Sequence, residues 1–234
     1  MTDDARGGAV VLLSGGMDSA TAAHLARDAG HDLYLLHASY GQDTEAVEFD
    51  HARRQAEHLE ATDVLHVETE HLARIGASSL TDEDIEIGDA DLDSDEIPAS
   101  YVPFRNANLL SMAVSHAEAN DCAAVYVGAH SEDYSGYPDC RPEFFEAFQT
   151  VADVGTRPET DLDLRAPFVD RSKTDIVEKG VDLGVPYEIT WSCYRNAPPA
   201  CGTCDACAFR LKAFQEAGVE DPIEYERRPT YAGE

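Results

Sequence analysis

Four cysteines crowd one short stretch near the C-terminus as Cys193-x7-Cys201-x2-Cys204-x2-Cys207, with Gly202 between the second and third. Four soft thiolates make a closed tetrahedral ligand set, the pattern of a structural zinc rather than a catalytic one, which keeps a coordination position open. The tight Cys-x2-Cys-x2-Cys run also fits iron–sulfur ligation, so both metals remain open at this point. Gly202 permits the bend that turns two sulfurs toward one ion. A metal here would fix the C-terminal segment and would not activate water. Cys122, at the start of an apolar run, reads as a small buried hydrophobe.

The second chemical signal is the loop Ser14-Gly15-Gly16-Met17-Asp18-Ser19, which follows the first apolar run and precedes a helix pattern. Two glycines let the backbone turn sharply and approach an anion, and the helix N-terminus attracts phosphate. A plain βα turn capped by Asp or Ser would use the same letters. The loop lacks the Gly-Lys-Ser/Thr ending of a Walker loop and the three-glycine spacing of a dinucleotide fold. It resembles the SGGxDS loop of the PP-loop ATP pyrophosphatases. That resemblance implies ATP contacts from Leu13, Ser14, Gly15, Gly16, Met17, Asp18, Ser19, Ala20 and Thr21, with Asp18 holding a phosphate-bridging Mg²⁺.

These signals need a frame, and the chain supplies one. Strand patterns at 9–13, 32–39 and 63–68 alternate with helix patterns at 18–29, closed by Gly30, and at 45–59. A βαβαβ order argues for a parallel sheet wrapped by helices. Residues 75–104 hold nine acids and no base and read as a solvated loop or lid, or a disordered insertion. A helix at 106–119, a strand at 123–129, a loop at 130–142 and a helix at 143–154 follow. A short strand at 162–166, a helix at 172–183 and a last helix at 205–217 complete the expected α/β order. The boundaries drawn from this are a catalytic domain over 1–187 and a four-cysteine segment over 188–234.

Composition narrows the function classes. With 43% apolar residues the chain of 234 can bury a core, so a disordered or fibrous chain is excluded. Acids number 46 against 17 Lys+Arg, a formal charge of −29, which disfavours direct contact with nucleic acid. Only Lys173, Lys179 and Lys212 are lysines. So acidic a surface fits a salty cytoplasm, where screening is strong. The first apolar run is too short for a signal peptide or a membrane span, so the expected location is the cytoplasm.

Taken with Tyr40-Gly41-Gln42, Tyr101-Val-Pro-Phe-Arg-Asn106, the block from Asp133 to Phe144 and Thr190-Trp-Ser-Cys-Tyr194, the chain resembles the 7-cyano-7-deazaguanine synthases (QueC) over nearly its full length. The resemblance implies an adenine nucleotide alpha hydrolase-like fold, and the acidic composition points to a halophilic, archaeal source. It also implies a ligase that joins 7-carboxy-7-deazaguanine and ammonium at the expense of ATP, forming a nitrile through adenylated carboxylate and amide. Its cofactors would be ATP, Mg²⁺ and one structural Zn²⁺, and its assembly a homodimer. Asp18, Ser19 and Lys173 would be catalytic. Arg105, Asn106, Asp133, Tyr134, Tyr137, Asp139 and Arg141 would hold the base, though each can equally be structural in a loop that must turn. Cys140 reads as packing, and His130, just after a strand end, as a site residue or, by preference, a satisfied loop histidine. Two positions depart from the family pattern: Phe104 stands where Gly is common, with the pocket wall at stake, and Arg195–Ala200 replaces a glycine-rich spacer. The alternative is a PP-loop tRNA thiolase with an iron–sulfur site.

Overall fold

Ala9–Leu12 (β1) is buried on both faces, as the central strand of a parallel sheet must be. In the computed structural model, which describes residues 7–76, 78–82, 84–90, 97–131, 137–195 and 197–233, β1 pairs in parallel with Leu33–Ser39 (β2) on one side and Ala124–Tyr126 (β4) on the other. Asp63–Glu68 (β3) and Asp163–Arg165 (β5) form the edges, also parallel, in the order β3-β2-β1-β4-β5. The order reverses between β1 and β4. Ligands of such sheets bind at the carboxyl ends of the strands, beside that reversal.

Seven helices wrap the described sheet: α1 (Met17–Asp28), α2 (Glu45–Leu59), α3 (Glu70–Ile75), α4 (Arg105–Ala119), α5 (Pro142–Gly155), α6 (Lys173–Leu183) and α7 (Asp205–Glu216). The pleat of β1 splits the core in two. Ala9, Val11 and Leu13 pack with α1, α2, α6 and α7, with Phe214 of α7 inside this cluster. Val10 and Leu12 pack with Leu110 of α4 and Phe145 of α5 on the opposite face. Gly30 follows α1 at φ 86°, the left-handed residue that ends it. No described helix is long and apolar enough to cross a membrane.

Three features differ from the sequence expectation. The apolar run 123–129 pairs as a strand only at its start, because Gly128 leaves the ladder to lie under α1. The short α3 carries too few apolar positions to show a period. Most instructive is the acidic stretch, several of whose described residues pack against the domain instead of standing in solvent. Leu80 and Val102 are buried with Tyr40 and Leu72. Ala90 N donates to Thr203 O at 2.9 Å. The Arg195 guanidinium donates to Ile87 O at 2.7 and 3.1 Å and pairs with Asp89 at 2.9 Å. The acidic segment is thereby strapped to the cysteine segment.

Candidate active site

A cleft of about 240 Å³ opens at the carboxyl ends of β1, β2 and β4. The glycine loop forms its floor and is tied within itself: Ser14 Oγ accepts from Gly16 N at 3.2 Å, and Ser19 Oγ accepts from Ser14 N at 3.2 Å. Gly15, at φ 94°, turns its carbonyl away to accept from Gln55 Nε2 and Trp191 N. Gly16, the residue before α1, offers no side-chain cap. The first N–H groups of α1 are therefore open to an anion. Gly128 makes room for this turn, since a Cβ there would stand 2.9 Å from Asp18 C and Ser19 N.

Two charged groups meet over the loop. Asp18 lies in the first turn of α1, and Lys173 is the first residue of α6. A reciprocal cap fixes Lys173: Ser172 Oγ accepts from Asp175 N at 3.1 Å, and Asp175 Oδ2 accepts from Ser172 N at 2.8 Å. Lys173 Nζ is 3.0 Å from Asp18 Oδ2, with His130 Nε2 3.8 Å from the same oxygen and 3.2 Å from Nζ. Burial alone would raise the Asp18 carboxyl, but the Lys173 ammonium, followed by His130, outweighs burial and holds it below the usual range. Asp18 Oδ1 is buried without a hydrogen-bond partner among the described residues. An orphaned carboxylate oxygen beside an anion-binding turn fits a hard cation such as Mg²⁺.

The other end of the cleft is aromatic. Arg105, at the start of α4, donates to Tyr40 OH at 3.0 Å and stacks over that ring, its Cζ 5.5 Å from the centroid. Burial opposes the guanidinium charge, yet the phenols of Tyr40, Tyr137 and Tyr194 raise the Arg105 pKa, so it stays charged. Asp139 Oδ2 accepts from Asn106 N at 2.8 Å, capping α4 from a different loop. Asn106 Nδ2 donates in turn to Asp139 O and to Cys140 Sγ, both near 3.0 Å.

Of the residues expected at the site, Leu13, Ser14, Gly16, Asp18, Ser19, Arg105, Asn106, Tyr137 and Lys173 line the cleft. Gly15 lies behind the loop. Met17, Ala20 and Thr21 are fully buried in the core, Thr21 bonding Tyr187 OH at 3.0 Å, so their side chains face away. Asp139 is buried behind the wall as a helix cap, and Arg141 is exposed, outside the lining. Asp133 and Tyr134 lie outside the described residues. Phe104, whose ring is largely exposed and edges Phe144, does not line the cleft. Its φ of 57° lies in the left-handed region that favours glycine.

Sequence reasoning missed several lining groups. His130 is a member of the charged cluster and not a loop histidine at rest, and Cys140 faces the cleft as an acceptor for Asn106. Tyr40, Trp191, Ser192 and Tyr194 line it too. They sit inside motifs already noted, but only the fold gives them a role. Glu48 carries no local signal at all. Arg210 is wholly buried on α7, bidentate to Asp221 at 2.8 and 2.9 Å, and donates to Thr190 Oγ1 and Tyr187 O. It thereby anchors the segment that carries Trp191 and Ser192 into the cleft.

Behind that segment, the sulfurs of Cys193, Cys201, Cys204 and Cys207 all lie within 4.8 Å of one another, buried. Cys201 and Cys207 sulfurs are 3.9 Å apart, against about 3.8 Å for the edge of a tetrahedron with 2.3 Å zinc–sulfur bonds. Backbone N–H groups of Thr203 and Cys204 point at Cys201 Sγ. The four residues can bind one metal ion.

The model of the family described as queuosine biosynthesis protein QueC matches residues 8–218. The chain belongs to the QueC family. A QueC relative named 7-cyano-7-deazaguanine synthase, from Haloarcula marismortui, is 71% identical over 99% of this chain and 100% of its own. Another of that name, from Halobacterium salinarum, is 66% identical over 95% and 97%. Both sources agree with the salt-adapted charge balance. A solved NMN synthetase from Francisella tularensis is similar at a TM-score of 0.49 and 18% identity, over 93% of this chain and 79% of that one. QueC membership displaces the thiolase alternative.

Proposed function

We propose that the protein is an ATP-dependent ligase that converts 7-carboxy-7-deazaguanine and ammonium to 7-cyano-7-deazaguanine. The observation that carries this reading is a single cleft with a phosphate-binding turn and the Asp18–Lys173–His130 cluster at one end and buried Arg105 among tyrosines at the other. Near-complete coverage by relatives bearing that enzyme's name supports it.

A carboxylate oxygen is a poor leaving group until it becomes a phosphate ester. The α1 turn, Ser14 and Ser19 bind the triphosphate, and Lys173 stabilises charge that builds on it as the substrate carboxylate attacks the α-phosphorus and takes the adenylyl group, each adenylation releasing pyrophosphate. Arg105, Asn106 and Tyr137 hold the base so that its acid faces the nucleotide. Ammonia displaces AMP to give the amide. A second adenylation, on the amide oxygen, and its elimination leave the nitrile. Asp18 Oδ1 would help to hold Mg²⁺, which would supply neutralisation of the phosphate charge. Zn²⁺ on the four cysteines supplies a closed structural clasp for the 188–234 segment, with 1–187 as the catalytic domain. A homodimer in the cytoplasm acting on small molecules, with no direct nucleic-acid contact at a net charge of −29, completes the reading.

The test is mass spectrometry of purified protein with ATP, Mg²⁺, ammonium and 7-carboxy-7-deazaguanine in high salt, with metal analysis of the same sample. Nitrile, AMP and about one zinc per chain are expected. Absence of nitrile from zinc-loaded protein would reject the assignment.

A further inference from the structure

The aromatic end of the cleft holds a carboxylate that none of the steps above uses. Glu48 lies near the start of α2 and lines the cleft. Its Oε1 accepts from Thr44 Oγ1 at 2.6 Å, and its Oε2 accepts from Gln42 Nε2 at 3.0 Å. Gln42 cannot exchange its amide ends, because its Oε1 already accepts from Tyr40 N at 2.9 Å. Thr44 and Gln42 are themselves buried. The backbone of Glu48 is fixed as well: its carbonyl oxygen lies 2.5 Å from where a Cβ on Gly15 would stand, so only glycine admits α2 this close to the loop.

An ionised carboxylate accepts about four hydrogen bonds, and the protein supplies two. Burial pushes the Glu48 carboxyl up, against the Thr44 and Gln42 bonds that pull it down. A carboxylate so stripped of water gains most from a ligand that brings N–H donors. The phenol walls of Tyr40, Tyr137 and Tyr194 suit a flat heteroaromatic ring.

We propose that Glu48 reads the guanine-type edge of the base, accepting from the ring N–H and the adjacent exocyclic amino group. Two donors side by side match the oxygens of one carboxylate, and Arg105, whose charge is felt by Glu48, serves the ring carbonyl next to that N–H. This rests on the functional reading above and assigns the residue that selects a 2-amino base. A base without the amino group leaves a desolvated oxygen of Glu48 unpaired.

The experiment compares 7-carboxy-7-deazaguanine with its analogue lacking the 2-amino group, for the wild type and Glu48→Gln, at saturating ATP and ammonium. The wild type is expected to favour the amino-bearing base at least about tenfold in kcat/KM. Glu48→Gln should lose a similar factor on that base, in KM, keep its KM for ATP, and no longer distinguish the two. A wild type that takes both bases equally overturns the proposal without any variant. So does a Glu48→Gln enzyme that keeps the preference, or whose loss falls on ammonium, the signature of a proton acceptor for the nucleophile. If the wild type makes no nitrile at all, the functional reading fails. Calorimetric binding of 7-deazaguanine against its 2-deamino form then decides the Glu48 assignment by the same preference.

Discussion

Lys173 Nζ lies 3.0 Å from Asp18 Oδ2, joining the first residue of α6 to the first turn of α1 over the phosphate-binding turn. Neither partner is well exposed, at 11% and 23% of side-chain surface, so losing one leaves the other poorly compensated. Lys173→Met is expected to destabilise the fold by about 2–3 kcal/mol and to abolish turnover. Lys173→Met combined with Asp18→Asn should cost less than the two singles summed, measured by denaturant melts as a double-mutant cycle. The pair also has a pH signature. Because the folded Asp18 carboxyl is held below its unfolded value, its stabilisation is complete above about pH 4 and is lost as pH falls through the lower folded value. Lys173→Met should flatten that part of the acid limb; an unchanged limb would show that the pair is not formed.

Metal removal should be visible in fluorescence. Trp191 is the only tryptophan. It is 3% exposed, donates from Nε1 to Cys193 O at 3.1 Å, and lines the cleft. Chelation, or Cys204→Ser, is expected to shift its emission to the red and weaken ATP binding at least severalfold, with loss of stability. Loss of metal with emission and affinity intact would separate the cysteine segment from the cleft.

Gly128→Ala places a methyl group against the backbone of Asp18 and Ser19, where no side chain can yield. The expected cost is about 1–3 kcal/mol, with KM for ATP raised more than KM for the base. Equal KM values in wild type and variant would mean that the turn tolerates a shift.

Phe104→Gly tests the strained entry to α4. The left-handed backbone costs an L-residue roughly 1–2 kcal/mol, partly offset by the entropy glycine loses on folding. A gain of up to about 1 kcal/mol is expected, with turnover unchanged because the ring is outside the cleft. Destabilisation would show that the edge contact with Phe144 outweighs the backbone term.

The sheet was legible because its inner strands β1 and β4 lie in apolar runs and its first helix ends at a glycine. The glycine turn was legible because its pattern is local: Ser14 to Ser19 are six consecutive residues. The aromatic end was legible only in part: Arg105, Asn106 and Tyr137 were expected there, but Tyr40, Glu48 and Tyr194 come from separate segments whose meeting no spacing encodes. His130 was misjudged for the same reason, its partners standing on α1 and α6. The acidic stretch misled through its charge, because the few apolar residues that dock it, Leu80, Ile87 and Val102, are too sparse to form a pattern.

The Arg195 bond to Ile87 has a bearing on how the enzyme comes into being. Sequence-distant contacts form late, since loop closure must precede them. Here the middle of the chain waits for a later part: until Arg195, Thr203 and the cysteines have left the ribosome, the stretch around Ile87 and Ala90 lacks its docking partners and the cleft lacks the wall made by Trp191, Ser192 and Tyr194. Nascent chains stalled before that point are expected to hold a formed sheet yet bind no nucleotide, so a truncated product would be idle instead of spending ATP without making nitrile.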